Sequence, residues 1–127
     1  MSSANLTQAE WIVMEALWER GALTGREAAE LLSGRCGWSR STVLTLLGRL
    51  EAKGAVEGGS EDGVKLYRPL VGREDAALVE TQDFLGRVYH GSVSLMLSAM
   101  TKKQVLSREE IDELYELLRG LEAESGA

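Results

Sequence analysis

The sequence predicts a mostly α-helical chain with one small β-hairpin. A helical N-terminal domain covers residues 1–72 and a second helical region covers residues 73–127. Three observations lead there. Three Ser/Thr-x-x-Glu signatures, each followed by an apolar stripe at helical spacing, mark helix starts. One stretch, residues 55–70, reads instead as two short strand-like runs around a glycine-rich segment. Past Gly72 every apolar pattern is helical again.

The first helix begins after Thr7-Gln8-Ala9-Glu10 and runs to about Arg20, with Gly21 as its stop. The threonine hydroxyl can accept from the third helical amide while the glutamate reaches back to the cap amide. Trp11, Met14, Leu17 and Trp18 share a face and form candidate core. The second helix follows Thr24-Gly25-Arg26-Glu27 and is expected over residues 25–33, with Ala28, Leu31 and Leu32 inward and Gly34 ending it. The third is capped by Ser39 and closed by Gly54 in a left-handed position, with Val43, Leu46, Leu47 and Leu50 buried. Trp38, just before this cap, is placed to pack as a hydrophobic staple.

Ala55-Val56-Glu57 then reads as a strand, Gly58-Gly59-Ser60-Glu61-Asp62-Gly63 as a turn, and residues 64–70 as a second strand. In that second run Val64, Leu66 and Arg68 alternate with Lys65 and Tyr67, so register decides which set packs inward. Three helices and a hairpin in this order make the layout of a winged helix-turn-helix, whose third helix enters the DNA major groove with the hairpin beside it.

The remaining helices are expected over residues 74–89, 92–101 and 107–121, the last opened by Ser107-Arg108-Glu109-Glu110. Their apolar positions are Leu78, Leu85 and Val88, then Val93, Met96, Leu97 and Met100, then Ile111, Leu114, Leu117, Leu118 and Leu121. Such short amphipathic helices cannot close a core alone, and a second copy of the chain is the economical partner. The C-terminal region therefore reads as a dimerisation domain.

Charge bears on the choice of partner. The formal net charge is −6, which argues against a polyanion at face value. It is unevenly spread: residues 1–72 carry −1 and residues 73–127 carry −5. Within residues 35–53, Arg35, Arg40, Arg49 and Lys53 face Glu51 alone, a local +3. Local charge governs docking more than the total does. Opposite the leucine stripe, the third helix presents Arg40, Ser41, Leu44, Thr45 and Gly48, flanked by Thr42 and Arg49. Arginine and hydroxyl groups bond to base edges or phosphates, a thymine methyl can pack on Leu44, and Gly48 lets a helix lie close to a backbone. Lys65 and Arg68 on the hairpin would meet phosphates. The plain alternative is a surface helix with a few basic residues and a charge-blunted strand edge.

The chain resembles the penicillinase-repressor family of bacterial transcription regulators, the BlaI/MecI/CopY group. The matching residues are Thr7-Gln8-Ala9-Glu10-Trp11, Val13-Met14, Leu17-Trp18, Leu23-Thr24, Trp38-Ser39, Thr42-Val43, Thr45-Leu46-Leu47, Arg49-Leu50, Lys53-Gly54 and Tyr67-Arg68-Pro69-Leu70. Similarity continues through Phe84-Leu85, Val88-Tyr89, Gly91-Ser92, Leu106-Ser107 and Glu110-Ile111. The resemblance implies a homodimer of winged-helix domains, joined through the C-terminal helices, that represses transcription on a palindromic operator; the lack of a long apolar run or secretory signal reads as cytoplasmic. It implies DNA contacts from Arg40, Ser41, Thr42 and Thr45, with Arg49 on a phosphate or in packing. It also implies a membrane sensor-peptidase that answers β-lactam and triggers cleavage of the repressor.

Three departures from the family pattern matter. Ser39-Arg40-Ser41-Thr42 stands where Ser-Pro-Lys-Thr is common, so the positive charge moves one place earlier and the operator sequence cannot be carried over. Ala99-Met100 stands where staphylococcal-type members have their cleaved Asn-Phe bond. The paired C-terminal cysteines of the copper-responsive branch have no counterpart, because Cys36 is the only cysteine.

Enzymatic chemistry finds no nomination. His90 is a lone histidine at a helix end, where the helix dipole favours it. Cys36 has no second thiol, so neither a disulfide within the chain nor a thiolate metal cluster is expected. A redox role for it needs more than a nearby helix N-terminus and Arg35, and ordinary packing is the simpler reading. Glu109, Glu110, Asp112 and Glu113 read as a solvated first helical turn and not as a metal site. The glycine-rich segment lacks the lysine and following helix of a phosphate loop. No cofactor, metal, small-molecule substrate, membrane insertion or secretory signal is expected. The rival class is a winged-helix module that binds protein instead of DNA.

Overall fold

The structure, a computed structural model, describes residues 5–103 and 105–126. Its elements run α1 (Gln8–Arg20), β1 (Leu23–Thr24), α2 (Gly25–Cys36), α3 (Arg40–Ala52), β2 (Val56–Glu61), β3 (Val64–Pro69), α4 (Arg73–Tyr89), α5 (Val93–Lys102) and α6 (Arg108–Gly126). The chain divides into two compact units, one through Asp83 and one from Phe84, with α4 running across the division.

The helix starts form as their sequence signatures require. Thr7 Oγ1 accepts from the Glu10 amide at 3.1 Å, and Glu10 Oε1 accepts from the Thr7 amide at 2.9 Å. The same reciprocal pair opens α2 through Thr24 and Glu27 and opens α6 through Ser107 and Glu110. Each capping box satisfies two amides that the first helical turn would otherwise leave without partners. Ser39 caps α3, Ser92 caps α5, and Gly54 takes the left-handed position after α3.

Three boundaries differ from expectation: α6 runs on to Gly126, past the expected end at Leu121, and α2 and the wing turn also differ. α2 continues through Gly34 and ends only at Gly37, whose φ of 72° is the left-handed conformation that a glycine adopts without Cβ strain. A glycine inside a helix is a modest penalty, and the packing of Ala28, Ala29 and Leu32 against the core outweighs it. Leu31, expected inward, is only half-buried, while Ala29 takes the inward place beside Ala28. In the hairpin, residues 58–61 are strand and not turn: the turn is Asp62-Gly63 alone. Both residues have positive φ, 53° and 77°. That is the geometry of a two-residue type I′ turn, and Asp-Gly is one of its preferred pairs.

The sheet has a third strand that the sequence did not suggest. β1 is two residues long, too short to show alternation, and pairs antiparallel with β3 through Leu23↔Tyr67 and Thr24↔Leu66. β2 pairs with the other edge of β3, from Val56↔Pro69 to Glu61↔Val64. The order is therefore β1-β3-β2. Register turns Tyr67 inward and leaves Val64, Lys65 and Arg68 exposed.

The core of this unit joins Val13, Met14, Ala16 and Leu17 of α1, Ala28 and Leu32 of α2, the full Val43, Leu46, Leu47 and Leu50 stripe of α3, and Val56 and Tyr67 of the hairpin. Trp38 packs on its margin. Trp11 and Trp18 meet edge to face at 5.2 Å, a favourable quadrupole arrangement. Trp18 Nε1 donates to the Val71 carbonyl at 2.9 Å, and Arg73 makes two 3.0 Å bonds to Glu15, so the chain leaving the hairpin is held against α1.

The second unit differs in burial. In α5 and α6 no described side chain is fully buried, and Leu117, Leu118 and Leu121 stand more than half exposed. Leu97, Leu106, Ile111, Leu114 and Leu118 line an apolar hollow. No helix among the described residues is long and apolar enough to cross a membrane.

Candidate nucleic-acid interface

α3 positions the interface because its two faces are chemically opposed. The leucine stripe is driven out of water: Val43, Leu47 and Leu50 are fully buried. That burial fixes the helix rotation and obliges Arg40, Ser41, Thr42, Leu44, Thr45, Gly48 and Arg49 to face outward, and all seven are exposed. Ser41, Thr42, Thr45 and Arg49 line one shallow concavity.

At the N-terminal end three hydroxyls are already arranged. Ser39 Oγ accepts from the Thr42 amide at 3.2 Å, donates to Thr42 Oγ1 at 3.0 Å and lies 3.2 Å from Ser41 Oγ. The outward hydroxyls are thus held by their neighbours, which reduces the rotamer freedom lost on binding. Gly25, at the start of α2, lets α2 approach closely, since a Cβ there would lie 2.9 Å from Leu44 Cδ2. Leu44, the candidate thymine-methyl contact, is partly covered by this approach and keeps 36% of its surface.

The ion pairs refine the local positive charge. Arg35 is bound twice by Glu19, both bonds at 3.0 Å, and this holds the Glu19 carboxyl below its ordinary pKa. Lys53 turns away to Glu10 and to the Asn5 carbonyl. Glu10 is 1% exposed. Burial pushes its pKa up, but the hydrogen bond and charge of Lys53 and the Thr7 amide together bring it below the ordinary value. Among the described residues no acid is ion-paired with Arg40 or Arg49. Two of the four cations in residues 35–53 are therefore structural, and the two on the open face of α3 are not neutralised in place.

The hairpin cations are paired. Lys65 Nζ lies 3.0 Å from Glu51 Oε1 and 5.1 Å from the centre of the Tyr67 ring. Arg68 lies 3.8 Å from Glu61. Sequence reasoning had no access to the Lys65–Glu51 or Glu10–Lys53 pairs, because each joins residues distant in the chain; a lysine and a glutamate far apart carry no shared signal.

Other candidates fall elsewhere. His90 is exposed just past the end of α4, with φ 54°. Cys36 is the last residue of α2 and packs on the core margin. Glu109 and Glu110 occupy the first turn of α6, and among the described residues no group of three or more His, Cys, Asp or Glu is disposed to hold a metal. Ala99 and Met100 lie within α5, both half-buried.

Comparison with known proteins bears on the family. Residues 6–120 match the family model described as penicillinase repressor. The chain is 34% identical over 113 residues to the penicillinase repressor of Bacillus licheniformis, covering 89% of this chain and 88% of that protein. It is 28% identical over 113 residues to the methicillin resistance regulatory protein MecI of Mammaliicoccus sciuri, covering 89% and 92%. Among solved structures, it is similar to monomeric Bacillus licheniformis BlaI in complex with the blaP half-operator, with 32% identity and a TM-score of 0.51 over 56% of this chain and 87% of that one.

Proposed function

The chain belongs to the penicillinase repressor family, and from that premise we propose that it is a cytoplasmic, sequence-specific DNA-binding transcriptional repressor that acts as a homodimer on a palindromic operator. The observation that carries this reading is the open face of α3. Arg40 and Arg49, without ion-pair partners among the described residues, share it with the hydroxyls of Ser41, Thr42 and Thr45. Arg40, Ser41, Thr42 and Thr45 read base edges from the major groove, and Arg49, Lys65 and Arg68 hold phosphates. The similar BlaI structure, with its half-operator, supports this use of the fold. A half-operator for a monomer is also what a two-fold site divided in half provides, which supports the palindrome.

Dimerisation is assigned to the C-terminal helices, through Leu78, Leu85, Val88, Met96, Leu97, Ile111, Leu114, Leu117 and Leu118. Exposed apolar surface of this extent is uncommon on a monomer, and Leu78, Leu117 and Leu118 each expose more than half their area. The family further suggests a membrane sensor-peptidase as regulator, with Ala99–Met100 as the corresponding bond. Because that bond lies inside α5, cutting it requires the helix to open first. We assign the protein no chemistry of its own.

The test is titration of the full chain with DNA from upstream of its own gene, against random duplex of equal length, at two salt concentrations. Specific binding that weakens steeply with salt is expected. No binding to either duplex at low salt would sink the repressor reading in favour of a protein-binding module.

A further inference from the structure

The pairing of Lys65 with Glu51 bears on how strongly the wing grips DNA, and this inference rests on the DNA-binding reading above. Glu51 belongs to the last turn of α3, and Lys65 lies on β3. Their ion pair, at 3.0 Å, is backed by the Tyr67 ring under the ammonium. The backbone that passes over the pair is Gly58, which faces Tyr67 in the hairpin register. A Cβ on Gly58 would lie 2.4 Å from Lys65 Cε and 2.7 Å from Glu51 Oε2. The pair thus occupies space that only a glycine leaves open. Both groups keep access to solvent, with Lys65 half exposed and Glu51 about a third.

We propose that Glu51 limits the affinity of the wing for DNA: its carboxylate competes with DNA phosphate for Lys65, so that Lys65 is withheld from a duplex unless the Glu51 bond is given up. The physical basis is that a phosphate contact exists only after the Glu51 bond is given up. That cost falls on operator and random duplex alike, because a phosphate contact carries no sequence information. The hydrogen bond that Lys65 donates to Glu51 raises the Lys65 pKa, as does the neighbouring Tyr67. The wing does not depend on this pair for its position, since Val56 and Tyr67 anchor it in the core. Removing the acid therefore frees the lysine without unseating the strand, and exposed ion pairs contribute little to stability.

The experiment is a double-mutant cycle on the full chain, with Glu51→Gln, Lys65→Gln and the two combined, titrated against the upstream duplex and a random duplex across a salt series. Glu51→Gln should tighten random-duplex binding by roughly three- to tenfold at low salt and steepen its log K against log salt slope by about 0.9, the value for one added phosphate contact. Operator binding should tighten by a similar factor, leaving the operator-to-random ratio unchanged. In the Lys65→Gln background the gain from Glu51→Gln should vanish. Gly58→Ala, whose methyl group displaces the pair, should reproduce the Glu51→Gln behaviour by an independent route. An equal gain with and without Lys65 would show that Glu51 acts only through bulk charge and overturns the proposal. A wild-type chain that binds neither duplex overturns the DNA reading itself, a result distinct from additivity in the cycle.

Discussion

Arg40 and Arg49 stand on the exposed side of a helix whose other side cannot leave the core, and that constraint makes their roles testable one at a time. Arg40→Ala should weaken operator binding by about 1–3 kcal/mol if it grips a base edge in two places. An equal loss on operator and random duplex, measured in parallel titrations, would make it a phosphate contact instead. The carboxylates held in ion pairs predict a different behaviour. Glu10, Glu15 and Glu19 all have folded pKa values below their ordinary 4.5: Glu10 because Lys53 and Thr7 override its burial, Glu15 through Arg73, and Glu19 through Arg35. A carboxylate depressed on folding stabilises the native state above its unfolded pKa, and that contribution disappears as pH falls through the folded value. Thermal melts should give a flat midpoint above about pH 5 and a falling one below about pH 4.5, the ordinary carboxylate value. A midpoint flat down to about pH 3 would contradict the assignment of these pairs. At this scale the sequence was legible where chemistry is local. The outward set on α3 follows from its leucine spacing, and all of it is exposed. Lys53 was not legible as a structural cation, because its partner Glu10 lies 43 residues away along the chain.

Among the elements, helix starts were readable and short strands were not. Thr7, Thr24 and Ser107 form their capping boxes because the interaction spans four residues and needs nothing from the rest of the fold. β1 escaped notice because two residues show no period, and it exists only because β3 lies beside it. The wing turn was drawn too long because residues 58–61, rich in glycine, have poor strand propensity and are held extended by pairing to β3. Two glycines separate local from tertiary causes. Gly63 has φ 77° in the turn, so Gly63→Ala should cost about 1–2 kcal/mol by placing an L-residue in the left-handed region. Gly34 lies inside α2 with open space where a methyl group would sit, so Gly34→Ala should stabilise by about 0.4–1 kcal/mol. Denaturant melts of the two variants should move in opposite directions. A shared direction would mean that one of these backbone conformations is wrongly assigned.

At the scale of the whole molecule, the uneven charge fits the division of labour proposed for the chain. The net −5 lies in residues 73–127, beyond the part proposed to meet DNA, and the remaining −1 leaves room for a basic face on α3. The proposal of a partner rests on amphipathic helices too short to close on themselves and on the exposed leucines of α6. Which copy-to-copy contacts form was not legible, because a symmetric interface leaves no mark in a single chain beyond its apolar surface. Replacing Leu114 and Leu118 together with aspartate should yield monomers in sedimentation velocity while leaving the first unit folded. A species that still sediments as a dimer would remove these side chains from the interface. The aromatic residues offer a way to follow that separation by light. All three tryptophans, Trp11, Trp18 and Trp38, belong to the first unit, while Tyr89 and Tyr115 lie in the second. Indole emission therefore reports on one half of the chain alone. Trp38 adds a local sense to it, since it borders the hollow shared with Ser39 and Arg40. Quenching that follows added duplex but not chain dilution would register the arrival of a ligand at α3 without any attached dye.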